Sequence, residues 1–526
     1  MKRVYIYIMC SLLAISLHAQ DGFGTYLRDV IQKQEKGIFV TAKLIEACGL
    51  CDSLDLLMDY KYEHLYQSGM IQDMENYMEK SGYDMSSIPG DPNAYAPEHR
   101  RYGYTVFAET DDFWEQQLGK SYKDITVADV KNYVVSMGLY PNASNDDQFD
   151  DEDNVLNLFV TYHMLPRRVP IHKLVIHSNE LGYSISRPFQ YTLPVYEHYI
   201  TMGKRRLLRT YESLESNGIY INRFPRFDNG IYGSGHEISC DPDKAGILID
   251  TQKAIPYANE IPNAIIYPID QLLAYTEDVR NNFANVRSRY DIAGLFREFT
   301  TNDIRRADSS LGKYQHVYIP NNYQYMDDLT MSQETYFIYY NGYKTAWANY
   351  CQDEIKAFGH FDVTLRLPPV PKAGEYELRY KVLATAARGI VQVYFGTDKD
   401  ALPPAGMPFD FTKNCYDYLR DNLSWSDISD SGKDEYEIQQ IENELREHNV
   451  MKAARFESEM STTTARDKSN CVRLILVRQM MDPDQTYYVR FKTVQANLDR
   501  PELYMDYIEL CPKAVYDNPY VPEDIW

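Results

Sequence analysis

Tyr104-Thr105-Val106-Phe107-Ala108-Glu109-Thr110-Asp111-Asp112-Phe113 is the stretch on which the fold reading turns. Its opening residues are largely β-branched and aromatic, which suits a pleated strand in a core. Thr110 can then accept a hydrogen bond from the first free amides of a helix. Asp111 and Asp112 favour the positive end of that helix. A strand that passes directly into a capped helix makes this half of the chain α+β.

Upstream, Asp21 to about Met85 reads as helical, with Leu27, Ile31, Val40, Leu44 and Ile45 at helical spacing. Ser86 to Arg101 is a Pro/Gly/Asn loop. Downstream, Thr126 to Met137 (TVADVKNYVVSM) predicts an amphipathic helix with a threonine cap. Asn145 to Asn154 (NDDQFDDEDN) is acidic, and Leu156 to Leu165 is apolar and helical. From Lys173 to Ile269 short β-type runs dominate, among them KLVI, GIYI and GILI. Leu273 to Val279 closes this first part. Arg280 to Gln315 reads as a joining region, with RYDIAGLFREF (Arg289–Phe299) as a short helix.

Beyond it the pattern changes to tyrosine-rich alternating runs bounded by Pro and Gly: FDVTLRLPP, GEYELRYKVLA, RGIVQVYFG, VRLILVR, TYYVRFKTV and YMDYIEL. Short strands recurring between turn residues predict a β-sandwich. Asp434 to Ala453 interrupts them with a charged, helix-favouring insertion.

Three segments of the first half, in this order, resemble the fasciclin domain family. YTVFAETDDF (Tyr104–Phe113) is similar to the family's first box, usually near TVFAPTDEAF. LFVTYHMLP (Leu158–Pro166) resembles the second, where a helix ends in a Tyr-His pair before a strand. NAIIYPIDQLL (Asn263–Leu273) looks like the closing strand, usually near NGVIHVIDRVL, with Ala264 for the usual Gly and Tyr267 for the usual His. LIEACGL (Leu44–Leu50) also fits a fasciclin N-terminus. The likeness spans about residues 25 to 278 and implies insertions at Ser86–Arg101, at the acidic run and within Leu181–Asp241. LPPVPKAGEYELRYKV (Leu367–Val382), RGIVQVYFG (Arg388–Gly396) and YMDYIELCPKAVY (Tyr504–Tyr516) resemble a tail found behind fasciclin domains in exported proteins of gut-type Bacteroidota. The last run is similar to the closing strand of galactose-binding-like jelly rolls.

The expected fold is therefore multidomain. A leader covers 1–20, an α+β fasciclin-like domain with insertions 21–279 and a linker with a short helix 280–315. An all-β jelly-roll or galactose-binding-like sandwich, with a helical insertion near 434–453, fills 316–526. The leader reading rests on Lys2 and Arg3, the apolar run Val4–Leu17 and the small-residue site Leu17-His18-Ala19. That run is short for a membrane span. Cys10 lies inside it behind Met9, where a lipid-modified cysteine would want a small neighbour, so export without a lipid anchor is expected. The destination is periplasm, outer cell surface or medium.

Net charge is −22, and −24 once Lys2 and Arg3 leave with the leader. Such a surface repels phosphate backbones, which argues against nucleic acid as a partner. Seven cysteines remain outside Cys10: Cys48, Cys51, Cys240, Cys351, Cys415, Cys471 and Cys511. An odd number leaves at least one thiol unpaired within the chain.

Catalytic motifs are lacking, and no catalytic residue, metal ligand or cofactor is assigned. His163, His172 and His177 fit no zinc spacing. Cys48-Gly49-Leu50-Cys51 follows a helix instead of opening one, with Gly49 as a helix-ending residue, so two packed cysteines or one distant disulfide are expected before redox chemistry. Asp146–Asp153 lacks the glycine and order of a calcium loop. GIYGSGHE (Gly230–Glu237) is a turn, not a nucleophile elbow. Resemblance points to Tyr162, His163, Leu165 and Pro166 as an adhesion segment, beside a structural role for His163. Of the 47 tyrosines, Tyr314, Tyr318, Tyr323, Tyr325, Tyr336, Tyr339, Tyr340 and Tyr343 cluster before the sandwich. Tyr336, Tyr339 and Tyr340 are the candidate glycan-stacking rings. The expected function is non-catalytic binding or adhesion to a cell-surface protein, matrix protein or polysaccharide. The alternatives are an accessory module of a glycan-active enzyme or a structural subunit of a surface assembly.

Overall fold

The computed structural model describes residues 22–72, 94–175, 196–213, 216, 218–227, 237–253, 255, 261–305, 315–341, 350, 353–386, 388–419, 423–454, 465–494 and 501–518. The leader, His177, Leu181–Tyr191, most of Gly230–Glu237, Tyr314, Tyr343 and Cys351 lie outside them. The fold is mixed α and β. Among the described residues its sheets are open, and their named strand pairs are antiparallel apart from one parallel pair. Among the described residues no helix is long and apolar enough to cross a membrane.

The chain divides into two compact units. The first takes Met1–Leu57, Tyr102–Arg168 and Asp250–Ala274, and the second takes Met58–Arg101, Val169–Ile249 and Tyr275–Trp526.

In the first unit the strand Tyr104–Glu109 is central. It pairs antiparallel with Met164–Leu165 and parallel with Ala264–Ile269. Every residue of it is buried, as a strand covered on both faces requires. Phe107 stacks on Tyr267 at 5.9 Å. The helix Asp111–Leu118 follows, and Thr110 Oγ1 accepts from the Phe113 amide while donating to Asp270 Oδ1 at 2.7 Å. Such a cap contributes about 1 kcal/mol.

Asp111 does more than face its own helix. Its carboxylate accepts from the amides of Gly37, Phe39 and Val40 at 2.7, 3.0 and 2.9 Å. It thereby caps the helix Phe39–Ala47, whose own N-cap residue, Ile38, has no side chain able to do so. The helix Val127–Ser136 starts with a reciprocal capping box between Thr126 and Asp129. The helix Val155–Tyr162 is capped by Asn154 and runs into Met164–Leu165. Gly49 adopts a positive φ of 70° directly after the Phe39–Ala47 helix, as a chain-reversing glycine must. At Gly24 an added Cβ would stand 1.9 Å from the Cys51 carbonyl oxygen, so the helix Phe23–Lys33 packs there at glycine-only distance.

The second unit holds two five-stranded sheets. One has the order Ser288–Asp291, Tyr507–Pro512, Gly374–Leu383, Cys471–Met481, Val450–Lys452. The other runs Leu329–Met331, Asp362–Arg366, Tyr488–Thr493, Ile390–Gly396, Phe409–Asp410. The ring of Tyr380 in the first lies 4.7 Å from that of Phe491 in the second. A four-stranded sheet is ordered Gln315–Ile319, Thr335–Asn341, Asp353–Gly359, Glu502–Met505, and another comprises Tyr196–Ile200, Leu207–Ser213, Gly218–Ile221 and Ile247–Leu248. Of the charged insertion, Glu435–Glu447 forms a helix capped by Asp434, whereas Val450–Lys452 is the strand that ends the first five-stranded sheet.

Three sequence expectations need correction here. KLVI begins in a helical turn, Ile171–Leu174, which starts behind Pro170 as proline favours. RYDIAGLFREF is not one helix: Ser288–Asp291 is an edge strand of the first five-stranded sheet, followed by the short helices Ile292–Leu295 and Arg297–Thr301. The strand reads as helix because Asp291 also caps the following turn through the Ala293 amide. YMDYIEL is two strands. Glu502–Met505 joins the four-stranded sheet and Tyr507–Pro512 the five-stranded one, with the change at Asp506. The buried Asp506 carboxylate fixes that corner by accepting from the Tyr350 amide, Tyr504 Oη and Lys381 Nζ.

One face of the first five-stranded sheet buries charge. Register places Arg289, Glu509 and Arg379 abreast on three neighbouring strands. Glu509 meets Arg289 at 2.8 Å, Arg473 at 3.3 Å and Arg379 at 3.5 Å. Burial alone would raise its pKa. The guanidinium charges of Arg287, Arg473, Arg289 and Arg379 outweigh that and hold it far below the ordinary carboxylate range. Glu377 is likewise shared by Arg379, Arg446 and Arg478.

Candidate functional site

Tyr162, His163, Leu165 and Pro166 sit where the Val155–Tyr162 helix turns into the short strand of the first unit. Tyr162, His163 and Leu165 are buried and Pro166 is half-buried. His163 Nδ1 lies 2.7 Å from the Phe159 carbonyl and Nε2 lies 2.8 Å from Glu109 Oε1. A carbonyl only accepts, so Nδ1 carries a proton and a second proton lies between Nε2 and Glu109. Glu109 also accepts from the Leu273 amide. The pair thus ties the end of the central strand to the chain just before Met164–Leu165 and just after Ala264–Ile269. Of the four, Tyr162, His163 and Leu165 face the core and Pro166 alone is partly exposed.

The three candidate stacking rings do not form a platform. On the strand Thr335–Asn341 side chains alternate, so Tyr336 and Tyr340 share one face and Tyr339 takes the other. Tyr339 and Tyr340 are fully buried, and Tyr336 is half-buried. Tyr339 Oη donates to Asp353 Oδ2 at 3.0 Å, and Lys356 Nζ lies 5.1 Å over the Tyr340 ring. Tyr339 and Tyr340 are taken up by sheet packing, and Tyr336 alone of the three is partly exposed.

An open pocket of about 260 Å³ lies instead in the preceding loop. It is lined by Asn321, Asn322, Tyr323, Gln324, Tyr325, Met326, Leu329, Met331 and Gln333. The loop joins Gln315–Ile319 to the strand Leu329–Met331 and continues toward Thr335–Asn341. It is held from beneath. Tyr323 Oη donates to Asp59 Oδ2 at 2.7 Å and Tyr325 Oη to the His99 carbonyl at 2.8 Å. Tyr62 meets both rings edge-on, at 5.2 and 5.1 Å. Arg100, itself buried, donates through Nε to the Tyr325 carbonyl and pairs with Asp59 and Asp327. No lining residue carries a formal charge. Sequence reasoning had Tyr323 and Tyr325 within its tyrosine cluster but passed over the amides around them. The signal was Asn321-Asn322-Tyr323-Gln324-Tyr325 in a loop between strands, where binding residues concentrate.

A second group has the residues of chemistry without the space for it. Arg305 Nη2 lies 2.5 Å from Asp291 Oδ2 and 3.2 Å from Glu197 Oε1, with Asp353 Oδ2 at 3.6 Å from Nε. Burial, then the charge of Asp353, hold the Asp291 carboxyl well above its usual range. Burial, then Arg209, push the neighbouring His198 down to about 3, so its imidazole is neutral. The cavity beside them has room of about 10 Å³, enough for roughly one water and no substrate.

Among the described residues no cluster of three or more His, Cys, Asp or Glu could hold a metal ion. His172 stands exposed on the Ile171–Leu174 turn. Cys48, Cys51 and Cys415 are buried free thiols. The acidic run forms turns in which Asp146 accepts from the Gln148 amide and Asp147 pairs with Lys131.

Compared with known proteins, the chain matches no protein-family model and no curated protein sequence.

Proposed function

We propose that this chain is an exported, non-catalytic binding protein that attaches at the cell envelope to a polysaccharide or a surface or matrix protein. The observation that carries the reading is the open, uncharged pocket of the 321–333 loop. It offers hydrogen-bonding groups and rings to a ligand, with no acid, base or nucleophile beyond two tyrosines whose hydroxyls are already committed. The buried carboxylates around Arg305 do not favour the enzyme alternative, because a glycosidase needs its acids across a cleft that admits a sugar.

A fasciclin-like first half is part of this proposal. Its support is that the three similar segments lie side by side, with Tyr104–Glu109 flanked by Met164–Leu165 and Ala264–Ile269. The stretches Met58–Arg101 and Val169–Ile249, which belong with the other unit, overlap two of the places where such a pattern would carry insertions. For a jelly-roll-like second half, the support is the ring contact between two antiparallel five-stranded sheets.

Affinity electrophoresis of the chain without its leader, against polysaccharides and immobilised matrix proteins, tests the function. Retention by at least one is expected. Reproducible glycan hydrolysis, abolished by substituting one carboxylate pair, overturns it.

A further inference from the structure

We infer that the 321–333 pocket is a subsite for a neutral saccharide, a proposal that rests on the binding-protein reading above and names its ligand class. Three side-chain amides in it have a fixed orientation. Asn321 Nδ2 donates to the carbonyls of Gln333 and Thr335 at 2.7 and 3.1 Å. Asn322 Nδ2 donates to the Met70 carbonyl at 2.9 Å, and Gln324 Nε2 to those of Met326 and Leu329 at 2.6 and 2.7 Å. Because a backbone carbonyl can only accept, each amide must present its nitrogen to the backbone and turn its oxygen away. The loop therefore holds three neutral acceptor oxygens in place, none with a donor among the described residues.

A ligand that suits this array carries several hydrogen-bond donors and no charge. An anion finds no cation in the lining, and a hard cation finds no carboxylate. Sugar hydroxyls donate to the amide oxygens and also accept, and Gln333, exposed at the rim, supplies both functions. Tyr323 adds an apolar ring, half-buried and held by its bond to Asp59 and by the edge contact with Tyr62. Aromatic rings pack against the C–H faces of sugars while amides read their hydroxyls. A volume of about 260 Å³ is smaller than the roughly 300–1,000 Å³ that encloses a drug-sized ligand. It fits a sugar unit of a chain that continues over the open rim.

The test uses the chain without its leader. Probes are four neutral polysaccharides (glucan, mannan, xylan, galactan), polygalacturonate as the anionic one, and gelatin as a matrix protein. Electrophoretic retention is followed by calorimetry with oligosaccharides of any hit. Expected is retention by a neutral polysaccharide, weakened at least fivefold in Asn321→Ala and in Gln333→Ala. Tyr436→Ala, exposed on the Glu435–Glu447 helix, should bind as the parent does. Should Asn321→Ala fail to fold, Gln333→Ala, which breaks no described hydrogen bond, decides the matter. Neutral glycan binding unchanged in Gln333→Ala and in a folded Asn321→Ala overturns the site and leaves the binding reading standing. Retention by polygalacturonate alone, or by gelatin alone, overturns the ligand class. No retention by any probe overturns the saccharide subsite and counts against the binding reading as well.

Discussion

His163 Nε2 lies 2.8 Å from Glu109 Oε1 with both side chains sealed in the core of the first unit. Replacing the histidine by alanine leaves the buried Glu109 carboxyl with the Leu273 amide alone and takes a donor from the Phe159 carbonyl. His163→Ala should cost about 3–5 kcal/mol, the range for breaking a buried pair. Urea denaturation followed by circular dichroism measures it. A loss under 1 kcal/mol would mean that the pair is not a tie across the sheet.

Gly24 meets the Cys51 carbonyl where only a hydrogen atom fits. Because the obstacle is backbone, a helix must move to admit a methyl group. Gly24→Ala should destabilise by about 1–3 kcal/mol through overpacking, although alanine is the better helix former. A stabilised Gly24→Ala would contradict the packing described.

The thiols of Cys48 and Cys51 should be inert in the folded chain. Burial pushes the first up to about 12 and the second to about 11, and the thiolate is the reactive form. Alkylation at pH 8 with peptide mapping should leave both unmodified until denaturant is added. Rapid native labelling of either would refute this.

Acid should weaken the charged face of the second unit in a specific way. Glu509 is depressed in the folded state, so its contribution is complete above the unfolded value of about 4.3 and declines as pH falls toward the folded one. Glu509→Gln removes it at every pH, at a loss of about 3–5 kcal/mol near pH 7. The stability gap between parent and Glu509→Gln should narrow steadily between pH 4.5 and about 2, measured by thermal or urea unfolding. A gap that widens on acidification would have the sign wrong.

Local chemistry made much of this fold legible. Thr110 and Thr126 announced their helices because a cap is a contact over three residues, and the structure places both caps where the sequence put them. The strands from Gly374 to Thr493 were visible because turn residues bound them. What stayed hidden depends on partners remote in sequence. Asp111 reads as the start of its own helix, yet its carboxylate closes another helix more than seventy residues earlier. Ser288–Asp291 is a strand only because Tyr507–Pro512 arrives to pair with it. The 321–333 pocket stayed hidden for a related reason. Tyrosine attracts the eye as a ligand platform, but Tyr339 and Tyr340 are consumed by packing. The amides of Asn321, Asn322 and Gln324 become informative only once the backbone carbonyls they face are known.

The corner at Asp506 bears on how the chain reaches this state. Glu502–Met505 and Tyr507–Pro512 come later in sequence than every other described strand, and the second lies between Ser288–Asp291 and Gly374–Leu383. During synthesis, that sheet keeps a gap in its interior until the last of its strands has left the ribosome. One segment then fills the interior of the five-stranded sheet and adds the edge strand of the four-stranded one. Until that step the second unit's earlier strands present open edges, the condition in which a helper protein would hold the chain most effectively.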